Sequence, residues 1–303
     1  MSSFKILALW YSQTGQLHQI ITHFLQPLTE TNSIDIDIVE YKPAIPYPFP
    51  WSSQEFFNTM PESVLLTPTP LAPLNFAHSS YDLIVLAYQP WYLSPSIPAN
   101  SLFHTPEFLH IIRNTPVITL IGSRNMWINS QEIIKKQLHT AGANLIGNIA
   151  FSDKHQNQIS AITIVHWMLS GRKDKKYGIF PLPGISTSDI QQASEYGTVL
   201  HTAIQSQSLQ GIQSKFLALG YMNIPLDVQF IEERAKRLFT VWAQLITKFG
   251  SSLQGRKRLV TTFKWYLIIA LFIVAPIVFF FYFFLFYPFT YKAVNKKKQI
   301  YLQ

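Results

Sequence analysis

Three short polar segments each follow an apolar run and contain the side chains best suited to bind a charged or aromatic ligand. They are residues 12–16 (SQTGQ), 89–95 (QPWYLSP) and 122–127 (GSRNMW). The hydroxyls and free backbone N–H groups of the first segment suit a phosphate at a helix N-terminus. The second segment offers aromatic faces, and the third offers hydrogen-bond donors, a cation and another aromatic side chain.

Several kinds of site are excluded or disfavoured by the composition. The first segment lacks the glycines of GxGxxG and the lysine of GxxxxGK[ST], which disfavours a dinucleotide fingerprint or a P-loop. Among the 303 residues there is no cysteine. A disulfide scaffold, a zinc ribbon, an iron–sulfur cluster and a cysteine nucleophile are therefore excluded. The chain is 48% hydrophobic and 13% charged, which excludes a disordered chain.

Apolar strands that alternate with helical segments must position these side chains. Strands are predicted at 4–10, 34–40, 82–88, 115–122 and 143–151, and helices from 17, at 105–113, at 129–141 and from 186. Gly142 is placed to terminate the helix at 129–141. The pattern predicts a five-stranded, doubly wound parallel α/β sheet covered on both faces. Ligand sites in such sheets lie at the carboxyl ends of the strands, which is where the polar segments fall.

Residues 41–80 interrupt this alternation. They contain 8 of the 19 prolines, too many for a helix or an interior strand. We interpret the segment as a long, ordered surface excursion with short turns. Long loops of this kind often act as functional lids.

The most apolar part of the chain lies near its end. Residues 265–287 contain 23 consecutive uncharged residues, enough for a helix to cross a bilayer of roughly 30 Å. Pro276 is expected to kink this transmembrane helix, and a shallow re-entrant helix broken there is the alternative. The N-terminal residues show no secretory signal, which predicts a cytoplasmic domain with the anchor last.

Basic residues cluster around this segment. Residues 1–153 have a net charge of −4 and residues 154–303 a net charge of +12, which together make the formal +8. The clustering favours anionic lipid headgroups over nucleic acid as a partner. Because positive charge flanks both ends, the positive-inside rule does not decide the orientation.

Two further helical segments leave their role open. Residues 159–177 join an apolar run to a basic end, which fits a buried helix or an interfacial one. Residues 228–249 form an amphipathic helix that could pack on the domain, lie on a membrane or form a homodimer.

The motifs together resemble a known family. YSQTGQL after the first strand is similar to the phosphate loop of flavodoxin-like proteins, with Leu17 in place of the usual final threonine. With PYPFPW, AYQPWYLSPSIP, IGSRNMW and the C-terminal apolar segment, residues 4–291 are similar to the dialkylresorcinol-condensing enzyme family of bacteria. The resemblance implies a flavodoxin-like fold, FMN as the cofactor and a hydrophobic dialkyl β-diketone as the substrate.

The resemblance also implies the residues that contact FMN. They are Ser12, Gln13, Thr14, Gly15, Gln16, Leu17, Pro90, Trp91, Tyr92, Leu93, Gly122, Ser123, Arg124, Asn125 and Trp127. Arg124 and Asn125 are expected to stabilise an enolate oxygen. Trp91, Tyr92 and Trp127 are expected to flank the flavin or the substrate ring, and Tyr92 is counted with the catalytic residues. His155 and His166 are candidates for a general base only by residue type.

The chemistry implied is oxidation rather than condensation. Decarboxylative condensation normally uses a cysteine nucleophile, which this chain lacks. A separate ketosynthase must then form the carbon–carbon bonds. This leaves the flavin protein to aromatise a 2,5-dialkylcyclohexane-1,3-dione to the dialkylresorcinol.

Two rival functions share the same three segments. One is a membrane-bound NAD(P)H-dependent quinone or FMN reductase, and the other is a non-enzymatic electron carrier or scaffold. The expected organisation is a flavodoxin-like domain at 1–206 with its insertion at 41–80, then an amphipathic extension at 207–255. A transmembrane anchor at 256–291 and a basic tail at 292–303 follow, which predicts a bacterial inner-membrane protein.

Overall fold

Seven strands alternate with helices in the computed structural model, which describes residues 3–31 and 33–303. The strands are β1 (Phe4–Trp10), β2 (Ile34–Glu40), β3 (Leu83–Tyr88), β4 (Pro90–Trp91), β5 (Ser94–Pro95), β6 (Pro116–Ser123) and β7 (Asn144–Ser152). The helices are α1 (Gln16–Thr29), α2 (Ser53–Asn58), α3 (Met60–Val64), α4 (Ile97–Leu102), α5 (Pro106–Ile112), α6 (Ile128–Thr140), α7 (Asn157–Ser170), α8 (Thr187–Gln191), α9 (Ala193–Gln205), α10 (Ile212–Ala218), α11 (Leu226–Phe249), α12 (Leu253–Ile269), α13 (Ala275–Leu285) and α14 (Tyr287–Leu302).

Five of the strands form one parallel sheet in the order β2-β1-β3-β6-β7. This is the flavodoxin-like order, in which the chain changes direction across the sheet between β1 and β3. The sequence-based prediction of a flavodoxin-like, five-stranded parallel sheet is confirmed. β4 and β5 are a separate antiparallel pair in the loop that follows β3.

Each face of the sheet is covered by its own layer of helices. Ile6 and Val85 point to the layer that contains α1 and α9, where Phe24 and Tyr196 are buried. Leu7, Leu9, Ile84 and Leu86 point to the other layer, which contains α5 and α6. Because both faces are covered, all six residues of β3 are buried, which explains its unbroken apolar sequence.

The predicted elements agree with the structure to within a few residues, with two additions. Helix α4 was not predicted from the sequence, since its Pro98, Asn100 and Ser101 resemble a turn. Within 41–80 the chain forms α2 and α3, so this segment contains helices as well as turns. α2 begins with a capping box between Ser52 and Glu55.

A third apolar core lies beside the sheet. It joins α2 and α3 to α11 and α12, with Met60, Ala243, Ile246 and Phe263 fully buried. The amphipathic helix predicted at 228–249 is therefore packed on the domain along one face. α7 lines the cavity described below and buries Trp167 and Met168, while the basic residues that follow it are exposed. Of the two alternatives for 159–177, this arrangement is the buried helix with a solvated basic end.

The apolar segment near the C-terminus is helical throughout. Residues Leu253–Leu285 form one helix that is long and apolar enough to cross a membrane, judged by length and composition. A π-helical turn (Ala270–Val274) separates α12 from α13 and ends two residues before Pro276. The wider turn accommodates the proline without ending the helix. α14 then continues to Leu302, so the expected basic tail is a helix, and its last residues pack on the domain.

Candidate functional site

A cavity of about 690 Å³ lies where the three polar segments meet at the carboxyl ends of β1, β3 and β6. This is the switch point of the sheet, where ligands of such folds bind. The polar segments contribute Gln13, Thr14, Gln16, Leu17, Pro90, Trp91, Tyr92, Leu93, Gly122, Ser123 and Arg124 to its wall. The volume is within the range of small-molecule and cofactor sites.

The loop between β1 and α1 presents backbone donors. Gly15 has a φ of +83° and open space where a Cβ would stand. The Ser12 hydroxyl accepts the Leu17 N–H at 3.2 Å. Within 3–31 and 33–303, no protein acceptor pairs with the N–H groups of Thr14, Gly15 and Gln16. These three donors at the start of a helix form a suitable anion site.

Two glutamine side chains of this loop form hydrogen bonds to other segments of the chain beside the cavity. The Gln16 side chain is buried and pairs with the backbone of Ile185, donating at 2.7 Å and accepting at 3.1 Å. The Gln13 side chain accepts from the Tyr11 hydroxyl at 2.6 Å and donates to the Pro48 carbonyl at 2.7 Å. Both residues line the cavity, but their amides are engaged with the protein. The sequence-based expectation that these two residues contact FMN stays a prediction.

The loop after β3 is a tight hairpin. Its central residues Tyr92 and Leu93 have φ values of +48° and +61°, as in the type I′ turns that join short antiparallel strands. Side chains larger than glycine rarely adopt this conformation, and such strain concentrates at functional sites. The turn is fixed by the Tyr92 hydroxyl, which donates to the Phe56 carbonyl at 2.5 Å.

Aromatic rings form one wall of the cavity. The Trp91 ring lies edge-on to Tyr47 and Trp51, with centroids 5.0 and 5.6 Å apart. Tyr47 and Trp51 stack at 5.6 Å. Trp51 is buried and lines the cavity, and its indole N–H has no partner in the part of the chain that the structure describes. An unpaired buried donor at a cavity wall is suited to a ligand acceptor.

Arg124 supplies a buried cation to the opposite wall. Its Nη1 donates to the backbone oxygen and to Oδ1 of Asn157, both at 2.9 Å. Burial lowers the pKa of the guanidinium to about 10, while the charge of Asp153 opposes this shift. Arg124 therefore stays charged at neutral pH. Its Nη2 contacts Met126 Sδ at 3.8 Å, and among the described residues no protein oxygen accepts from Nε or Nη2, which leaves these donors for an anionic ligand.

Four predicted contacts, Ser12, Gly15, Asn125 and Trp127, lie outside the cavity lining. Asn125 is buried behind Arg124 and donates from Nδ2 to Oδ1 of Asn157 at 3.1 Å. Trp127 is packed in the core between the sheet and α6. The expectations that Asn125 touches an enolate oxygen and that Trp127 flanks a ring are thus corrected. The chain turns into α6 at this point, which directs both side chains inward. Ser12 and Gly15 also fall outside the cavity lining, so their part in the loop is structural and through the backbone.

Arg234 is a functional candidate that the sequence analysis missed. It lies on α11, lines the cavity and stands over the Phe230 ring, with Cζ 3.6 Å from the centroid. The i, i+4 spacing of Phe230 and Arg234 on an amphipathic helix was the available signal. No Asp, Glu or His is found among the described residues that line the cavity. With Arg124 and Arg234, the wall is cationic and suited to anions.

The two histidines considered as bases lie elsewhere. His155 Nδ1 is 2.6 Å from Asp153 Oδ1, and His166 Nε2 is 2.6 Å from Asp174 Oδ1. Neither lines the large cavity. Both are engaged in local pairs.

Helix α12, the π-helical turn and α13 complete the cavity with one apolar face. The side chains on this face are Leu267, Ala270, Leu271, Val274, Ala275 and Val278. The cavity therefore extends from the anion-binding loop, past the aromatic wall, to an apolar helix.

No protein-family model and no curated protein matches this chain. A flavoprotein in complex with FMN from Lactobacillus acidophilus is 16% identical, with a TM-score of 0.38, over 50% of this chain and 93% of its own. A flavodoxin from the domain Archaea is 8% identical, with a TM-score of 0.35, over 67% of this chain and 99% of its own. A flavone reductase is 12% identical, with a TM-score of 0.33, over 67% of this chain and 63% of its own. The strand order of the main sheet is what establishes the flavodoxin-like fold.

Proposed function

We propose that this protein is an FMN-dependent oxidoreductase that acts on an apolar, ring-containing substrate. One observation carries the proposal. A single cavity joins an anion-binding loop at the switch point of a flavodoxin-like sheet to an aromatic wall and an apolar helix. A protein that only carries electrons does not need the apolar part of this cavity. Its presence therefore favours an enzyme.

The residues present fit FMN. The free N–H groups of Thr14, Gly15 and Gln16 would hold the phosphate. Trp91 and Tyr92 would contact the ring, and the unpaired Trp51 N–H would donate to a ligand oxygen. The bound cofactor would supply a two-electron acceptor.

The substrate we propose is a 2,5-dialkylcyclohexane-1,3-dione, as the resemblance to the dialkylresorcinol-condensing family implies. A cyclic 1,3-dione ionises readily to an enolate. The substrate is therefore an anion that carries two hydrophobic alkyl chains. Arg124 and Arg234 would hold its oxygens, and the apolar face of α12 and α13 would hold an alkyl chain. These two arginines are the charged residues among the described residues that line the cavity.

The reaction removes two hydrogens from the dione. A proton leaves C4, which lies between the C3 carbonyl and the alkyl-bearing C5, and a hydride leaves C5 for the two-electron acceptor that a bound FMN would supply. The ring becomes the resorcinol. Arg124 would stabilise the oxygen on which negative charge develops when the proton leaves. Water is the proton acceptor we favour, because the described lining contains no carboxylate or imidazole.

Three partners belong to the same proposal. A separate ketosynthase would make the carbon–carbon bonds of the dione, since the chain has no cysteine. Anionic lipids of the bacterial inner membrane would bind the basic residues near the apolar helix. The exposed Leu238, Val241 and Leu245 of α11 would serve a homodimer if this face stays free of lipid.

An anaerobic absorbance experiment tests the function. Full-length protein in detergent is loaded with FMN and mixed with a synthetic 2,5-dialkylcyclohexane-1,3-dione. Bleaching of the oxidised-flavin band with stoichiometric resorcinol supports the aromatase. If the flavin band is unchanged by the dione but bleaches with NADPH, the proposal is replaced by a quinone or FMN reductase. Failure to retain FMN would overturn both enzymes in favour of a scaffold.

A further inference from the structure

The apolar helical segment is held by the globular domain at both of its ends. At its start, Arg256 Nη2 binds both carboxylate oxygens of Glu62 at 2.7 and 2.8 Å. Lys264 donates to the Ser53 hydroxyl at 3.0 Å, and Phe263 is fully buried. The segment therefore leaves the domain with its first three turns already packed.

At its far end the chain returns to the same domain. Lys297 forms an ion pair with Glu233 at 3.0 Å, and Lys298 donates to Asn223 at 2.6 Å. Gln213 Nε2 donates to the Leu302 carbonyl at 2.5 Å, and the Leu302 side chain is buried in the core under the sheet. α14 is thus docked by polar and apolar contacts together.

The middle of the segment also touches the domain. Tyr282 lies 4.2 Å from the Phe230 ring, centroid to centroid, although it is about 20 residues beyond the contact of Phe263 with Phe239. Phe230 and Phe239 are both on α11. α12 and α13 therefore run antiparallel to α11 along its length. A bilayer-spanning helix would instead carry Tyr282 roughly 30 Å away, on the other side of the membrane.

The two faces of this helix have different surroundings. Its inner face lines the large cavity. Its outer face is apolar and exposed, and the side chains on it are each at least 53% exposed: Ile273, Ile277, Phe280, Phe281, Phe284 and Leu285. Soluble proteins rarely leave so large a contiguous apolar patch in water.

Cations stand at both ends of the exposed patch. Lys257 and Arg258 are exposed before it, and Lys292 and Lys296 are exposed after it. This charge is complementary to anionic headgroups, each cation being worth roughly 1 kcal/mol near such a surface.

From these contacts we infer that the protein is monotopic. The helix Leu253–Leu285 lies in one leaflet of an anionic phospholipid bilayer, parallel to its surface, and does not cross it. Residues before and after the helix are then on the same side of the membrane. The cavity opens beside the leaflet, so a lipid-dissolved ligand enters without passing through water. Only this last consequence rests on the proposed function.

The absence of cysteine permits a direct topology experiment on the full chain. Ser251→Cys and Asn295→Cys place one thiol on each side of the apolar helix, at exposed positions. Ser79→Cys reports the exposed surface of the sheet domain. A membrane-impermeant maleimide is applied to intact spheroplasts and to inverted membrane vesicles of the expressing bacterium.

We expect all three variants to be labelled in inverted vesicles and none of them to be labelled in intact spheroplasts. Reaction of the Asn295→Cys variant only from the periplasmic face would overturn the inference, as would recovery of the protein in the soluble fraction. Labelling does not depend on bound flavin or on turnover. A failure of this topology inference can therefore be distinguished from a failure of the proposed function.

A vesicle-binding experiment tests the lipid partner. Binding to phosphatidylcholine vesicles containing phosphatidylglycerol should fall about 5-fold for each cation removed in Lys292→Gln and Lys296→Gln, from roughly 1 kcal/mol each. The control, Arg113→Gln with Lys136→Gln, removes the same charge from the opposite edge of the sheet and should leave binding unchanged. Equal losses in both pairs would contradict a localised lipid surface.

Discussion

The Nη1 atom of Arg124 lies 2.9 Å from both the backbone oxygen and Oδ1 of Asn157. The same Oδ1 accepts from Asn125 at 3.1 Å. One amide on α7 therefore orients the buried cation of the cavity and the residue behind it. This contact links the loop after β6 to the helix that forms the adjoining wall.

Asn157→Ala should destabilise the protein and impair its activity. It removes the Oδ1 acceptor that Arg124 and Asn125 share and keeps the backbone oxygen, which costs about 1–3 kcal/mol of unfolding free energy. The catalytic rate with the dione should fall more than the affinity for FMN, because Arg124 would be misplaced. Thermal unfolding and steady-state kinetics measure the two effects. Asn144→Ala, at an exposed edge position, is the matched control and should change neither.

Gly15→Ala should weaken FMN binding through the backbone alone. Its φ of +83° strains any L side chain, by roughly 1–2 kcal/mol. Relief of that strain would turn the free N–H groups of the loop away from the phosphate. The dissociation constant from flavin fluorescence should rise about 10-fold, which corresponds to 1.4 kcal/mol.

Gly220→Ala is the control for the glycine prediction. Gly220 has a φ of +76° and the same open space, but it follows α10 and is not part of the loop between β1 and α1. It should lower the unfolding temperature to a similar degree and leave FMN affinity unchanged. Equal weakening of FMN binding in both variants would refute the phosphate loop.

Trp51→Phe should reduce ligand binding, while it lowers stability only through the ring volume that it removes from a buried site. The indole N–H has no protein partner among the described residues, so the substitution breaks no internal hydrogen bond. Loss of one hydrogen bond to a ligand oxygen corresponds to about 0.5–1.5 kcal/mol, or roughly 2- to 12-fold in affinity. Trp10→Phe, on β1 beside His18, is the matched control: it should also lower stability through lost ring volume and leave ligand binding unchanged. Titration calorimetry with FMN and with the dione identifies which ligand accepts the bond.

Glu232 should make stability decrease as pH rises. Burial raises the pKa of its carboxyl to about 7, although the Asn129 N–H donates to it at 2.8 Å and lowers the pKa in part. Because the folded-state pKa exceeds the unfolded value near 4.5, the unfolded state binds fewer protons in this interval. The stabilisation is present below about pH 4.5 and is lost as pH rises through about 7.

Glu232→Gln should remove this pH dependence. The variant should match the parent near pH 5 and exceed it at pH 8 by about 3 kcal/mol at most. The exposed Glu107→Gln is the control and should keep the parental slope. Denaturant unfolding across this pH range measures the difference, and parallel curves for parent and Glu232→Gln would contradict the prediction.

Ala270→Phe should close the apolar end of the cavity. Ala270 is on the inner face of the π-helical turn, and a phenyl ring there would occupy the path of an alkyl chain. KM should rise for long-chain diones and change little for short-chain ones. Ile273→Phe, on the exposed outer face three residues later, should alter neither KM. Equal changes in KM for long-chain and short-chain diones would show that this end of the cavity does not bind the alkyl chain.

Much of the fold was determined by local sequence patterns. The apolar runs that became β1, β3 and β6 are buried on both faces, and such runs between helical segments have few alternatives in a soluble domain. Gly142 ends α6 with a φ of +75°, as its position predicted. Because parallel strands place their carboxyl ends at one edge, the sequence also determined which three loops meet there.

The tertiary structure decided which side chains of those loops face the cavity. Trp127 was directed into the core by the start of α6, and the Gln16 amide was taken by the Ile185 backbone, 169 residues away. Trp51 and Arg234 come from an insertion and from α11, and no local pattern brings them together. The return of α14 likewise depends on long-range contacts such as Lys297 with Glu233. Periodicity in the sequence reports burial along one element, whereas the choice of partner is a property of the packed whole.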